Sequence, residues 1–206
     1  MPLLSFLLEA VLISLSGVMA PGPMTAAAVG KGSDSPHAGA LLAIGHGIVE
    51  FPLMVAILYG FGVWLKRDGV KAGIALVGGI FLLVMAVWML RGIKNTEVRS
   101  ATTLRSPVIA GIALSVGNPY FLIWWATVGA TLVTRSIGLG LLGFALFAVL
   151  HWACDFVWLQ LLSALSFKGG RFFGRAFQKG VFAVCGVLLL FFAGKFLFEG
   201  IRALVA

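Results

Sequence analysis

The sequence predicts an all-α integral membrane protein, six transmembrane helices arranged as two inverted three-helix repeats within one domain, residues 1–206. Three observations predict it. Hydrophobic residues make up 61% of the 206 and charged ones 11%, with a mean hydropathy of +1.08. An ordinary soluble domain has roughly 45–50% and about 25%, and polar side chains this scarce cannot cover a water-facing surface. The apolar residues come in long runs, about 20 residues being enough to cross a bilayer as helix, and lack the dyad alternation of a transmembrane barrel. The second half, finally, echoes the first at an offset of about 105 residues.

Taken in order, the first run is Leu3–Val29. It has no basic segment before it and no A-x-A site followed by a soluble domain, so it reads as a first span and not a cleaved signal. Ala20-Pro21-Gly22-Pro23 interrupts it. The second run, Ala38–Leu65, carries His46 and Glu50, and the third is Val70–Leu90. A basic loop, residues 91–106, follows with Arg91, Lys94, Arg99 and Arg105. The fourth run, Pro107–Val133, is interrupted at Gly117-Asn118-Pro119, and the fifth, Ile137–Leu165, carries His151 and Asp155. A second basic loop with Lys168, Arg171, Arg175 and Lys179 leads to the sixth run, Gly180–Ile201. Alternate sides of this plan carry nine and six Lys and Arg, and the positive-inside rule then puts both termini outside.

The repeats are residues 1–100 and 104–206. His46-Gly-Ile-Val-Glu50-Phe51 returns as His151-Trp-Ala-Cys-Asp155-Phe156, in a chain with three histidines and seven acids altogether. Gly79-Ile-Phe-Leu-Leu resembles Gly186-Val-Leu-Leu-Leu, and each proline interruption follows a Leu-Ser-rich stretch. Three spans per unit is an odd number, so the copies lie in opposite orientations, which is the inverted-repeat plan of secondary transporters.

The chemistry-bearing residues lie at repeat-equivalent places. Pro21, Gly22 and Pro23, and Asn118 and Pro119, remove backbone donors inside apolar helices, and the freed carbonyls must face protein or a water-filled cavity. A substrate or ion site near the midplane is the functional reading; a plain proline kink, with Asn118 capping its own turn, is the bland one. His46 and Glu50, like His151 and Asp155, are one helical turn apart and share a face. Ionisable groups so deep in apolar runs are functional candidates by default, and an imidazole beside a carboxylic acid is a proton relay. The alternative is a structural bond locking each helix. Inverted symmetry brings both pairs towards one axis.

The remaining features need no site. The net charge of +8, from 15 Lys and Arg against 7 Asp and Glu, sits between the apolar runs and reflects lipid headgroups and topology, not nucleic acid. Cys154 and Cys185 lie in apolar segments without C-x-x-C spacing and read as small buried hydrophobes. Lys195 and Glu199 form a helix-face pair, and Glu9 reaches an interface. Trp124 and Trp125, following the Asn118-Pro119 break, are placed either to line a pathway or to pack, and read as packing residues, with Gly111-x-x-x-Ser115 as a close helix contact. No P-loop, nucleophile elbow or soluble catalytic domain is present, so the chain does not read as an enzyme, and no cofactor is indicated.

Ala20-Pro21-Gly22-Pro23, Gly45-His46-Gly47-Ile-Val-Glu50, Gly117-Asn118-Pro119 and the His151-to-Asp155 stretch, in this order, resemble the lysine exporter (LysE-type) translocators, and among them the shorter archaeal-type members. The resemblance covers essentially the whole chain. It implies a multi-pass inner (plasma) membrane exporter of amino acids or related small metabolites, driven by an ion (proton) gradient, with the lipid bilayer, a small-molecule substrate and a coupling ion as partners and a homodimer as a compatible assembly. Family exporters of amino acids usually follow the Asn-Pro with a basic residue, where this chain has Tyr120. The same superfamily resemblance extends to divalent-cation exporters, for which His46, Glu50, His151 and Asp155 would be the metal ligands, and to thiol-disulfide carriers, for which no cysteine pair is placed. A membrane scaffold without transport is the remaining class.

Overall fold

The computed structural model describes residues 3–20, 22–61, 64, 67–94, 104–169 and 174–205, and among these it is helical without strands. The helices are α1 Leu3–Val18, α2 Pro23–Gly32, α3 Ala38–Leu58, α4 Asp68–Lys94, α5 Pro107–Val116, α6 Pro119–Trp124, α7 Ala130–Ile137, α8 Gly140–Gly169 and α9 Gly174–Val205, with a π-helical turn, Trp125–Gly129, joining α6 to α7. Four helices are long and apolar enough to cross a membrane: α3, α8, and the segments Asp68–Val87 and Phe182–Ala203 of α4 and α9. The bent pair Pro107–Val116 and Pro119–Ile137 makes a fifth when counted as one span.

The first predicted span is therefore split, and the reason is local. Gly22 is extended, and Pro23 opens α2 at a position where its missing N–H breaks no helical bond. α1 is left with 16 residues, shorter than a full crossing; Pro21 lies outside the described residues. The fourth predicted span is broken in the same way. Pro119 opens α6 behind Asn118, and the two halves meet at 59°. α3 stops at Leu58, earlier than the apolar run suggests, because Gly60 turns the chain with φ +95°, the backbone conformation that ends helices and favours glycine. The tip of the second predicted span, Leu65, and parts of both basic loops lie outside the described residues.

Large apolar side chains cover the outside. Leu4, Leu8 and Leu12 form one exposed stripe on α1, and Val77, Ile80 and Val84 another on α4. Their four- and three-residue spacing keeps them on one face, and a continuous apolar face of this kind belongs against lipid. Inside, α4 and α9 pack along their lengths through Leu82, Ala86, Phe182, Cys185, Leu189 and Ala193.

α3 packs between α5 and α8 at small residues. A Cβ on Gly45 would fall on the Val108 carbonyl, one on Gly111 on the Leu42 carbonyl, and one on Gly39 on the Leu159 carbonyl. This close approach is how membrane helices gain contact without a hydrophobic drive between them. α8 also satisfies the open N-terminus of α3: Gly39 N–H donates to Ser163 Oγ at 3.0 Å and Ala40 N–H to Gln160 Oε1 at 3.2 Å. Trp152 Nε1 donates to the Ala43 carbonyl at 2.9 Å. The shared register of α3 and α8 is thus fixed by polar bonds that lipid could not replace.

Candidate functional site

A cavity of about 300 Å³ lies where both helix breaks and both histidine-acid pairs meet. Ala20, Gly22 and Pro23 bring the first break to it, and Asn118 the second. Pro119 is buried behind, its ring against Gly78 of α4. The Asn118 side chain accepts from Tyr120 N–H at 3.1 Å, so the amide caps its own turn, as the bland reading held, while lining the cavity.

His46 and Glu50 come from α3, His151 and Asp155 from α8, and all four are buried, Glu50 completely. Within α3, His46 Nε2 lies 3.1 Å from Glu50 Oε1; across to α8, His151 Nε2 lies 3.2 Å from the same oxygen. Asp155 completes the ring, Oδ1 at 3.7 Å from His46 Nε2 and Oδ2 at 3.9 Å from His151 Nε2. The two pairs are therefore one cluster, in which each histidine meets the acid of the other helix as well as its own. Glu50 Oε2 and Asp155 Oδ2 are buried without a hydrogen-bond partner.

The outward face of each imidazole is set by a serine that the sequence reading passed over. Ser14 Oγ donates to the Ala10 carbonyl at 2.6 Å and lies 2.7 Å from His151 Nδ1. Ser115 Oγ donates to the Gly111 carbonyl at 2.7 Å and lies 2.7 Å from His46 Nδ1. A hydroxyl has one proton. With that proton spent on a carbonyl, each Oγ accepts from imidazole, and both histidines carry a proton on Nδ1. Each Nε2 then faces carboxylate oxygen at hydrogen-bond distance, an arrangement of facing lone pairs unless a proton or a cation lies between them. Ser115 belongs to the Gly111-x-x-x-Ser115 contact that sequence assigned to packing alone. The signal for both serines was the Leu-Ser stretch before each break.

The aromatic residues assigned to packing also sit at the site. His151 stacks on Trp124, centroids 5.2 Å apart at 27°, and meets the edge of Trp125 at 5.1 Å; His46 meets the edge of Phe121 at 5.1 Å. Trp125 begins the π-helical turn, a widening of the helix that recurs at functional sites. Trp124 and Trp125 both line the cavity. Away from it, Glu9 is held by Arg135 through two bonds of 2.8 and 2.7 Å, Lys195 and Glu199 pair at 3.9 Å on an exposed face, and Cys154 and Cys185 are buried free thiols.

Apolar helices long enough to span a bilayer, two helices broken at prolines, and a buried ionisable cluster in the cavity between them define a multi-pass membrane translocator. The chain belongs to the LysE type translocator family, whose family model matches residues 15–200. No curated protein and no solved structure matches it.

Proposed function

We propose that the protein is a secondary-active exporter of amino acids or related small metabolites across the inner (plasma) membrane, coupled to the proton gradient, and an archaeal-type member of its family. The observation that carries this reading is the four-residue cluster between the two breaks. Glu50 Oε1 lies within hydrogen-bond reach of both Nε2 atoms, so a proton moves among His46, Glu50 and His151 without leaving the cluster. A carboxylate left charged at this depth is costly, which ties its charge to the occupancy of the cavity. Pro21, Gly22, Pro23, Asn118 and Pro119 supply the opened backbone around the substrate.

The same reading takes the six-crossing, inverted-repeat plan as the frame, with residues 1–100 and 104–206 as the repeats. The packing supports it pairwise: α3 lies on α8 and α4 on α9, while α3 against α5 is matched by α8 against α1 and α2. Ser14 of the first half holds His151 of the second, and Ser115 of the second holds His46 of the first. In reconstituted vesicles under a pH gradient, Glu50→Gln with Asp155→Asn should abolish gradient-driven export while leaving folding intact. Export at the parental rate would show the pairs to be structural.

One observation favours a second reading. Donor atoms of His46, Glu50 and Asp155 all lie within 4.8 Å of one another, and an imidazole held at Nδ1 by a second group while presenting Nε2 is how metal ligands are oriented. As a divalent-cation exporter, the protein would lose metal binding outright on His46→Ala with His151→Ala. An exporter of organic substrates keeps measurable affinity after that change.

A further inference from the structure

The cavity is much larger than an ion needs, and its walls say what fills the remainder. Tyr120, Trp124, Leu188, Leu189 and Phe192 make it largely apolar and aromatic. Its titratable groups are two carboxylates and the two imidazoles already engaged with them, and no Lys or Arg is among the described residues that line it. A substrate carboxylate placed here would lie beside Glu50 and Asp155 with only those engaged imidazoles to meet it, and like charges at such depth repel strongly. The unmet capacity is of the opposite kind. Glu50 Oε2 and Asp155 Oδ2 are buried acceptors without donors, a state that a ligand bringing N–H or O–H donors corrects and a carboxylate does not.

We propose that this protein's substrate is an organic monocation, a protonated amine with an apolar or aromatic body and no free carboxylate, whose ammonium pairs with the Glu50 and Asp155 carboxylates and whose body lies against Trp124, Tyr120 and Phe192. The inference rests on the cavity being the transport site and narrows its substrate. An ammonium supplies donors to the two acceptors, and the aromatic faces beside it favour a cation.

Charge conservation gives the exchange. The titratable groups facing one another are His46 and Glu50 from α3 and His151 and Asp155 from α8; α1 and α5 present Ser14 and Ser115 to the two imidazoles. With both Nδ1 protons fixed by the serines, the cluster is neutral when it holds two further protons over its two Nε2 atoms and two carboxylates. An arriving ammonium adds one positive charge, and neutrality returns when one of those protons leaves. For a cluster that starts neutral the stoichiometry is one proton for one amine, with no bond made or broken except to hydrogen.

The test is binding to the intact protein in detergent or nanodiscs, with phenethylamine, phenylalanine, 3-phenylpropanoate and zinc chloride as probes. Phenethylamine should bind and release about one proton, read by calorimetry in buffers of different ionisation enthalpy. Phenylalanine should bind at least about tenfold more weakly and 3-phenylpropanoate not at all, since each carries a carboxylate to the acids. Glu50→Gln should cost phenethylamine about tenfold or more, and Lys195→Gln, on an exposed face away from the cavity, should leave it nearly unchanged. Phenylalanine binding as tightly as phenethylamine, or zinc binding where phenethylamine does not, overturns the assignment. Flux separates this failure from that of the parent reading: proton-driven, Glu50-dependent phenylalanine export keeps the exporter and rejects the amine, whereas flux indifferent to Glu50→Gln rejects both.

Discussion

Ser14 and Ser115 decide how much of the buried cluster is free to act. Each hydroxyl turns an ambivalent imidazole into one with a committed Nδ1 and an available Nε2, so that the side facing the acids is the one left to exchange a proton in the proposed relay. Ser115→Ala leaves the His46 Nδ1–H buried without an acceptor, a loss of about 1–3 kcal/mol. Thermal unfolding in detergent should therefore fall for Ser115→Ala and for Ser14→Ala, and Ser115→Thr, which keeps the hydroxyl, should recover most of it. Equal melting of the Ala and Thr variants would show that the imidazole does not depend on the serine. The four ionisable residues were legible in sequence because a repeated H-x-x-x-acid pattern is rare in an apolar chain. The serines were not, because a serine in a membrane helix bonds its own carbonyl as readily as anything else, and only the fold brings Ser14 beside a residue 137 positions away.

At the scale of elements, the long helices follow the apolar runs, and both breaks follow the prolines. The helix ends are less legible, since an apolar run continues past Leu58 although Gly60 has already turned the backbone. The π-helical turn at Trp125–Gly129 has no sequence signature; within it Trp125 packs on His151, and the Thr127 hydroxyl donates to the Ile123 carbonyl at 2.8 Å. The close contact of α3 with α5 was visible as small residues, but not its consequence, which is to bring His46 within reach of Ser115. Gly45→Val should show both roles at once. Its side chain would collide with the Val108 carbonyl, so the helices must part, a strain of about 1–3 kcal/mol in a well-packed interface. Folded yield on size-exclusion chromatography should fall sharply, whereas Gly69→Ala, which has open space around it, should leave it unchanged. Similar yields for the two variants would mean that the contact is not tight.

Taken as a whole, the molecule joins its two broken helices through two polar contacts away from the cavity. At the end of α2, Lys31 is buried and its Nζ donates to the Leu104 carbonyl at 2.6 Å, just before α5. Near the end of α7, Arg135 holds Glu9 of α1 in a two-bonded pair and lies 5.3 Å from the Phe6 ring centre. The inner ends of α1 and α2 line the cavity, so each tie lies on a helix segment leading away from it. Under the proposed export reading, alternating access requires these segments to part on one side at a time, and the charged Glu9–Arg135 pair can break into water with little loss, as a packed apolar contact cannot. A short bis-maleimide bridge between Glu9→Cys and Arg135→Cys, with Cys154 and Cys185 replaced by Ala, should therefore stop export by at least about tenfold. It should leave substrate binding in the cavity measurable, because conformational exchange, and not the site, is what the bridge removes. Parental export by the bridged protein would place the moving parts elsewhere, and loss of binding together with export would mean that the bridge had distorted the cluster between α3 and α8.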